Sequence, residues 1–202
     1  MTVMASVLRQ SGATMVQRHG RWVAADYGSA AGEVAVCLSR VGLAERSDRA
    51  TFEVRAGVER ALEELTELGD RAWFVRVLPD EAVIRCDGED EAACAAALAR
   101  ADGAQVLEVS GNYAALDLVG PRAEQALAAA AIDEDRDPVI VVRQGTAVVE
   151  LLVPRANGPA MWNRLLEAGQ PLGLSCVGLD ALEHLAVSEH MVELRRPVTP
   201  AR

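Results

Sequence analysis

The sequence contains no lysine: all 20 basic residues are arginine. That excludes a lysine Schiff base and the lysine of a P-loop. Aromatic residues make up only 3% of the chain, so alanine, valine and leucine must fill most of the core. No apolar run approaches the roughly 20 residues a helix needs to cross a bilayer, so no membrane association is expected. Residues 1–10 lack a basic segment followed by an apolar one, the pattern of a signal peptide. Net charge is −10 and the arginines are scattered among acids, which excludes a basic duplex-binding surface and any nucleic-acid partner that would need one. The four cysteines, Cys37, Cys86, Cys94 and Cys176, form no CxxC pair. Buried, reduced thiols in a cytoplasmic protein are the expectation.

What remains is a chain of 202 residues, half apolar and a quarter charged, long enough for one domain or two merged halves with a real core. Residues 1–20 carry weak signals and read as a loosely attached arm. Apolar positions at helical spacing predict a helix over 27–40, stopped near Gly42. Residues 51–56 alternate as a strand. Gly57 turns the chain into an amphipathic helix over 58–68. Residues 73–78 and 82–86 predict a hairpin turning at Pro79-Asp80, and a helix with an acidic start follows over 89–100. Residues 105–109 and 113–119 read as a second hairpin about Ser110-Gly111-Asn112, and Gly120-Pro121 opens a helix to 131. After an acidic loop at 133–137 come a third hairpin (139–143 and 147–153), a helix over 159–168, a short strand at 174–177 and a helix over 179–191. Residues 195–202 read as a flexible tail, leaving 21–194 as the folded domain. The succession of strand, glycine, helix and hairpin from Thr51 recurs loosely from Tyr113. Hairpins interleaved with helices favour an α+β fold with antiparallel sheets over a doubly wound one.

Several constellations have bland explanations that outweigh the chemical ones. His184 and His190 are six residues apart and so do not share a helix face as metal ligands would. The acids at 133–137 lack an EF-hand's glycine and terminal glutamate. Ser110-Gly111-Asn112 has neither a GxGxxG nor a P-loop context, and Ser39, Ser47 and the cysteines have no neighbouring base that marks a nucleophile. No metal site is expected. Trp22, Trp73 and Trp162 are expected in the core, with a subunit contact as the rarer role for one of them.

Four stretches, in shared order over roughly residues 22–190, resemble the glycine cleavage T protein and its aminomethyltransferase superfamily. The first runs from Glu33 through Val41-Gly42-Leu43-Ala44-Glu45-Arg46-Ser47. The second is the strand and Gly57 turn. The third is the strand from Tyr113 to Val119 ending in Gly120-Pro121-Arg122-Ala123. The fourth comprises Val149-Glu150-Leu151-Leu152-Val153-Pro154, then Met161-Trp162, then Gly178-Leu179-Asp180-Ala181. The resemblance implies the superfamily's folate-binding α+β domain: antiparallel sheets with packed helices in ferredoxin-like halves, without the C-terminal barrel.

The resemblance also marks what has been replaced. Folate-dependent aminomethyl transfer uses a buried acid near the pterin and arginines that grip the folate carboxylates. Ala72 or Trp73 stands where the family's catalytic aspartate is expected, and Asp70 is out of register. Arg143 fits the family's strand-ending arginine, but Gln144-Gly145-Thr146 replaces the loop carrying its pterin glutamate. Leu182 and Ala186 stand where the last helix carries arginines. The candidate cofactor-binding residues are Arg143, Glu150, Tyr113 and Glu33, and no catalytic residue is assigned. By resemblance to the gamma subunit of heterotetrameric sarcosine oxidase, the expected role is a non-catalytic subunit of a flavin- and tetrahydrofolate-linked amine oxidase or demethylase. A larger flavoprotein chain would then hold the flavin, and tetrahydrofolate is a doubtful ligand of this chain. The alternative is a minimal, stand-alone tetrahydrofolate-dependent aminomethyl- or methyltransferase.

Overall fold

A computed structural model describes residues 3–134 and 136–187. In chain order its elements are α1 (Val3–Gln10), β1 (Thr14–Arg18), β2 (Arg21–Asp26), α2 (Ala30–Ser39), β3 (Val41–Glu45), β4 (Ala50–Arg55), α3 (Val58–Leu65), β5 (Ala72–Leu78), β6 (Glu81–Cys86), α4 (Glu91–Leu98), β7 (Gln105–Glu108), β8 (Tyr113–Val119), α5 (Ala123–Ala129), β9 (Ile140–Gln144), β10 (Val148–Pro154), α6 (Gly158–Gly169), β11 (Leu174–Cys176) and α7 (Leu179–Val187). The chain divides into two compact units. Of the described residues, one unit holds those within 1–17, 22–46 and 113–202, and the other holds 18–21 and 47–112.

The smaller unit is a βαββαβ fold built from β4, α3, β5, β6, α4 and β7, its sheet ordered β5-β6-β4-β7 and antiparallel throughout. This is the ferredoxin-like motif. Ala50, Phe52, Val54, Ala82, Ile84 and Cys86 alternate along β4 and β6 and point to one face. Val58, Ala61 and Leu65 of α3, with Cys94, Ala97 and Leu98 of α4, cover that face. The 3.6-residue period of the helix thus meets the two-residue period of the strands in one apolar layer.

The larger unit repeats the motif. β8, α5, β9, β10, α6 and β11 again run βαββαβ, and β3 is inserted into the sheet, whose order is β11-β3-β8-β10-β9. The loose recurrence in the sequence is therefore a recurrence of topology. Both faces of this sheet are covered. Leu43, Leu116, Leu118, Val149 and Leu151 meet Leu8 of α1, Ala126 of α5 and Trp162 and Leu165 of α6. On the other face Ala44, Val119 and Val148 meet Cys37 of α2 and Leu182 and Leu185 of α7.

Several parts depart from the sequence reading, among them residues 14–18 and 21–26, which pair as the two-stranded sheet of β1 and β2. Residues 3–10 form a helix instead of a loose arm, because Met4 and Leu8 are buried in the same apolar cluster as Met161 and Trp162, and the Trp162 indole donates to Ser11 Oγ at 3.4 Å. Residues 105–109 and 113–119 are not a hairpin: β7 pairs with β4 in the smaller unit and β8 with β10 and β3 in the larger. Ser110 fixes that exit, its hydroxyl accepting from Thr51 N–H at 2.8 Å while Val109 N–H donates to Thr51 O. Residues 41–45, given no element by the sequence beyond a helix stop near Gly42, are the inserted strand β3. The predicted tail at 195–202, the end of the last helix, His190 and Asp135 lie outside the described residues.

Candidate functional site

The pairing register decides which candidate residues can meet. Glu150 sits opposite Asp117 of β8 on one side and Val142 of β9 on the other, whereas Arg143 sits opposite Val149. Side chains alternate faces along a strand, so Glu150 and Arg143 lie on opposite faces of the sheet. Arg143 is exposed on the face covered by α1, α5 and α6. It donates to Glu124 of α5 through Nε at 2.9 Å and to Glu134 through Nη2 at 2.7 Å. The bond to Glu134 raises the guanidinium pKa and the charge of Glu124 adds to it, against an opposing contribution from partial burial. The fork that would grip a ligand carboxylate is thus engaged by two carboxylates of the chain itself.

Glu150 is fully buried on the other face, as is Asp117 directly across from it. Asp117 was not singled out from the sequence, although an acid in the middle of the apolar run 113–119 is the signal that marks it. Tyr113, four residues before Asp117 and opposite Pro154, shares that face at the start of β8 and is half-buried. Tyr113 and Glu150 are therefore the two candidates that the sheet aligns on one side.

Glu33, on α2, is also buried, and its partners are backbone groups. Oε1 accepts from Tyr27 N–H at 2.7 Å and from Ser29 N–H at 3.4 Å, and Oε2 accepts from Gly178 N–H at 2.7 Å. Ser29 caps the same helix by accepting from Gly32 N–H at 3.2 Å. Glu33 thereby ties the entrance of α2 to the residue that opens α7. Beside it, the Tyr27 hydroxyl is buried and its pKa is raised, by desolvation first and then by Cys176, Glu45 and Glu33.

The smaller unit holds a second group of buried polar residues on the sheet face away from α3 and α4. Arg85 stands between Trp73 and Thr51 in register. Its Nη1 donates to the Thr51 hydroxyl and reaches the carbonyls of Arg49 and Ala50 at 3.4 Å. Arg49 lies over the Trp73 ring, 4.8 Å from its centroid, and donates to Asp87 at 3.0 Å. Two buried arginines in β-strand surroundings have no periodic signature, and the sequence reading missed them. Of the tryptophans, Trp162 is core, Trp73 is half-buried under Arg49, and Trp22 is 42% exposed. Among the described residues no cluster of metal-ligating side chains occurs, and the four cysteines are free thiols.

As a set, Arg143, Glu150, Tyr113 and Glu33 do not fit tetrahydrofolate in the manner the family resemblance implies. The guanidinium is on the wrong face for the acid and already bonded, and Glu33 is occupied by three N–H groups.

No family model matches the sequence, and no curated protein matches it. Solved structures do match. Glycine cleavage system aminomethyltransferase T from Bartonella henselae superposes with a TM-score of 0.70 at 17% identity, over 88% of this chain and 59% of that one. This chain therefore spans about three fifths of the length of that relative. A chain of heterotetrameric sarcosine oxidase from Corynebacterium sp. U-96 superposes with a TM-score of 0.53 at 18% identity, over 74% of this chain and 95% of that one. Among the described residues no sheet closes into a barrel. With two βαββαβ units, antiparallel pairing around the β8 and β10 core and helices on the sheet faces, the chain has the aminomethyltransferase-like α+β fold.

Proposed function

We propose that this chain is a non-catalytic subunit of a flavin- and tetrahydrofolate-linked amine oxidase or demethylase of one-carbon metabolism, working in the cytoplasm and similar in role to the gamma subunit of sarcosine oxidase. A larger flavoprotein chain would carry the flavin and the folate. The observation that carries this reading is the placement of Arg143 and Glu150 on opposite faces of one sheet, with Arg143 bound to Glu124 and Glu134. A scaffold of the aminomethyltransferase type with its carboxylate-binding fork turned away has its surface to offer a partner. The likeness to a chain of a heterotetrameric oxidase supports the same reading.

Purification of the tagged chain from its native host tests it. The expected result is co-elution with a larger polypeptide that carries flavin absorbance. Elution with no second polypeptide sinks the subunit reading. Calorimetric titration of the isolated chain with tetrahydrofolate decides the alternative. Saturable heat at one site supports a stand-alone aminomethyl- or methyltransferase, and no heat removes it.

A further inference from the structure

The core of the smaller unit holds two of the four thiols, and the fold brings them together. Cys86 is the last residue of β6, and Cys94 lies on α4, eight positions further along the chain. Both are fully buried in the apolar layer between the sheet and its helices. Alternation along β6 turns Cys86 toward that layer with Ala82 and Ile84, and its partners in register are the small Ala50 and Ala72. There the two thiols hydrogen-bond to each other. From such contact, small rotations about the Cα–Cβ bonds bring sulfurs to the ~2.05 Å of a disulfide. The turn between the two residues carries Asp87, which accepts from Arg49 at 3.0 Å, and Asp90, which accepts from Arg71 at 3.0 Å. On the outer side of α4, Ala92, Ala93, Ala95 and Ala96 are exposed. A short helix that presents only methyl groups outward opens locally at low cost, and a small oxidant can use that opening.

We propose that Cys86 and Cys94 are a redox pair, which hydrogen peroxide closes into a disulfide that pins the turn between β6 and α4. Cys94 reacts first. It stands near the start of α4, where backbone N–H groups favour a thiolate. The Cys86 S–H donates to it and holds its pKa below the ordinary 9.0, against burial and the charge of Asp90. The Cys94 thiolate attacks one peroxide oxygen, the O–O bond breaks, and the hydroxide released takes up a proton as water. The sulfenic acid left on Cys94 is then attacked by the Cys86 sulfur. The S–O bond breaks, the S–S bond forms, and the second hydroxide leaves as water with the Cys86 proton. Two thiols and one peroxide thus give one disulfide and two waters. The inference is independent of the proposed function.

Peroxide treatment of the folded chain, followed by alkylation of the remaining thiols and peptide mapping, tests the pair. A Cys86–Cys94 cross-link is expected, lighter by two hydrogens and reversed by dithiothreitol. Cys37 and Cys176, which burial pushes up to about 12 and about 11, should be recovered as thiols and are the internal comparison. Cys86→Ser keeps a donor beside Cys94 but removes the resolving thiol, so a 1,3-diketone probe of sulfenic acids should label Cys94. Cys94→Ser should leave Cys86 unlabelled. In the cross-linked chain, amides of residues 87–94 should exchange at least about fivefold more slowly than in the reduced chain. Cys86 and Cys94 recovered as thiols, or carried to sulfinic acid without a cross-link, overturn the proposal. So does label on Cys86 in place of Cys94, or exchange unchanged by the cross-link. Thermal melting checks that the variants fold; if one does not, the map of the parent chain decides.

Discussion

Glu33 and Arg143 both stood out as ligand-binding candidates, and their surroundings assign them opposite weights in stability. Glu33 is buried and accepts from three backbone N–H groups, one of them 145 residues away in the chain. Glu33→Ala strands those donors out of water and should cost about 3 kcal/mol or more. Glu33→Gln keeps the shape but turns an amide N–H₂ toward a donor, for a loss of about 2 kcal/mol. Arg143 makes two ion pairs, but all three side chains are nearly half exposed. Arg143→Ala should therefore change stability by less than about 1 kcal/mol. Urea denaturation of the three variants checks the order. The thiols offer a second test. Burial, then the charge of Glu33, pushes Cys37 up to about 12 from an ordinary 9.0, and the same two causes push Cys176 up to about 11. A raised folded pKa means that the native state keeps protons the unfolded chain releases above pH 9. The stabilisation from these groups is complete below pH 9 and is lost as pH rises toward 11 to 12. The urea midpoint should hold from pH 7 to 8.5 and fall by pH 10, and replacing both residues by alanine should flatten that slope.

At the scale of elements, the glycines that open the two helical crossovers show how closely the chain is packed upon itself. Gly120 has φ +132°, and a Cβ there would lie 2.6 Å from the carbonyl oxygens of both Cys37 and Arg40. Gly120→Ala should cost about 2 kcal/mol or more, through backbone strain and overpacking together. Gly111, with ordinary φ and nothing within 4 Å of an added Cβ, is the control, and Gly111→Ala should stay within about 0.5 kcal/mol. Thermal unfolding of the two variants separates them. The same packing explains what the sequence made legible. The motifs that resemble the aminomethyltransferases fall on positions where only one residue type fits: Gly120, then Gly178, whose Cβ would lie 2.1 Å from Ala25 O, and Gly42, pressed between Cys37 and Val177. Glu33 and Gly178 come from different motifs and bond to each other. Those residues report the scaffold, so they disclosed the fold and said little of a ligand. The strands with clean alternation or long apolar runs, β4, β6, β8 and β10, were readable for the same reason. β3 was hidden because it is five residues long, carries a glycine and follows a helix without a linker. α1 was hidden because it has eight residues, and its stability comes from Met161 and Trp162, some 150 positions on. The false hairpin at 105–119 shows the general limit: sequence gives the strands and the turn, but which sheet each strand joins depends on partners far away, here β4 for one and β10 for the other.

For the molecule as a whole, two sheets of the same βαββαβ plan differ in how their strands are enclosed, and that difference should govern local opening. β8 and β10 are interior strands of the larger unit with helices on both faces, and Leu116, Leu118, Leu151 and Leu152 are fully buried. Opening them requires disrupting two apolar layers, so their amides should exchange through global unfolding. Among the described residues β5 has one strand neighbour, and it exposes Phe74, Val77 and Leu78. Its outward amides need only local fraying to exchange. Hydrogen exchange read by mass spectrometry should find peptides from β8 and β10 slowest, and β5 at least about a hundredfold faster in dilute solution, a gap of about 3 kcal/mol in opening free energy. β7, the opposite edge of the smaller unit's sheet, supplies the internal comparison, since among the described residues it too has one strand neighbour. Equal exchange across β5, β8 and β10 would mean that the chain opens as one cooperative block and that edge exposure does not set its local stability.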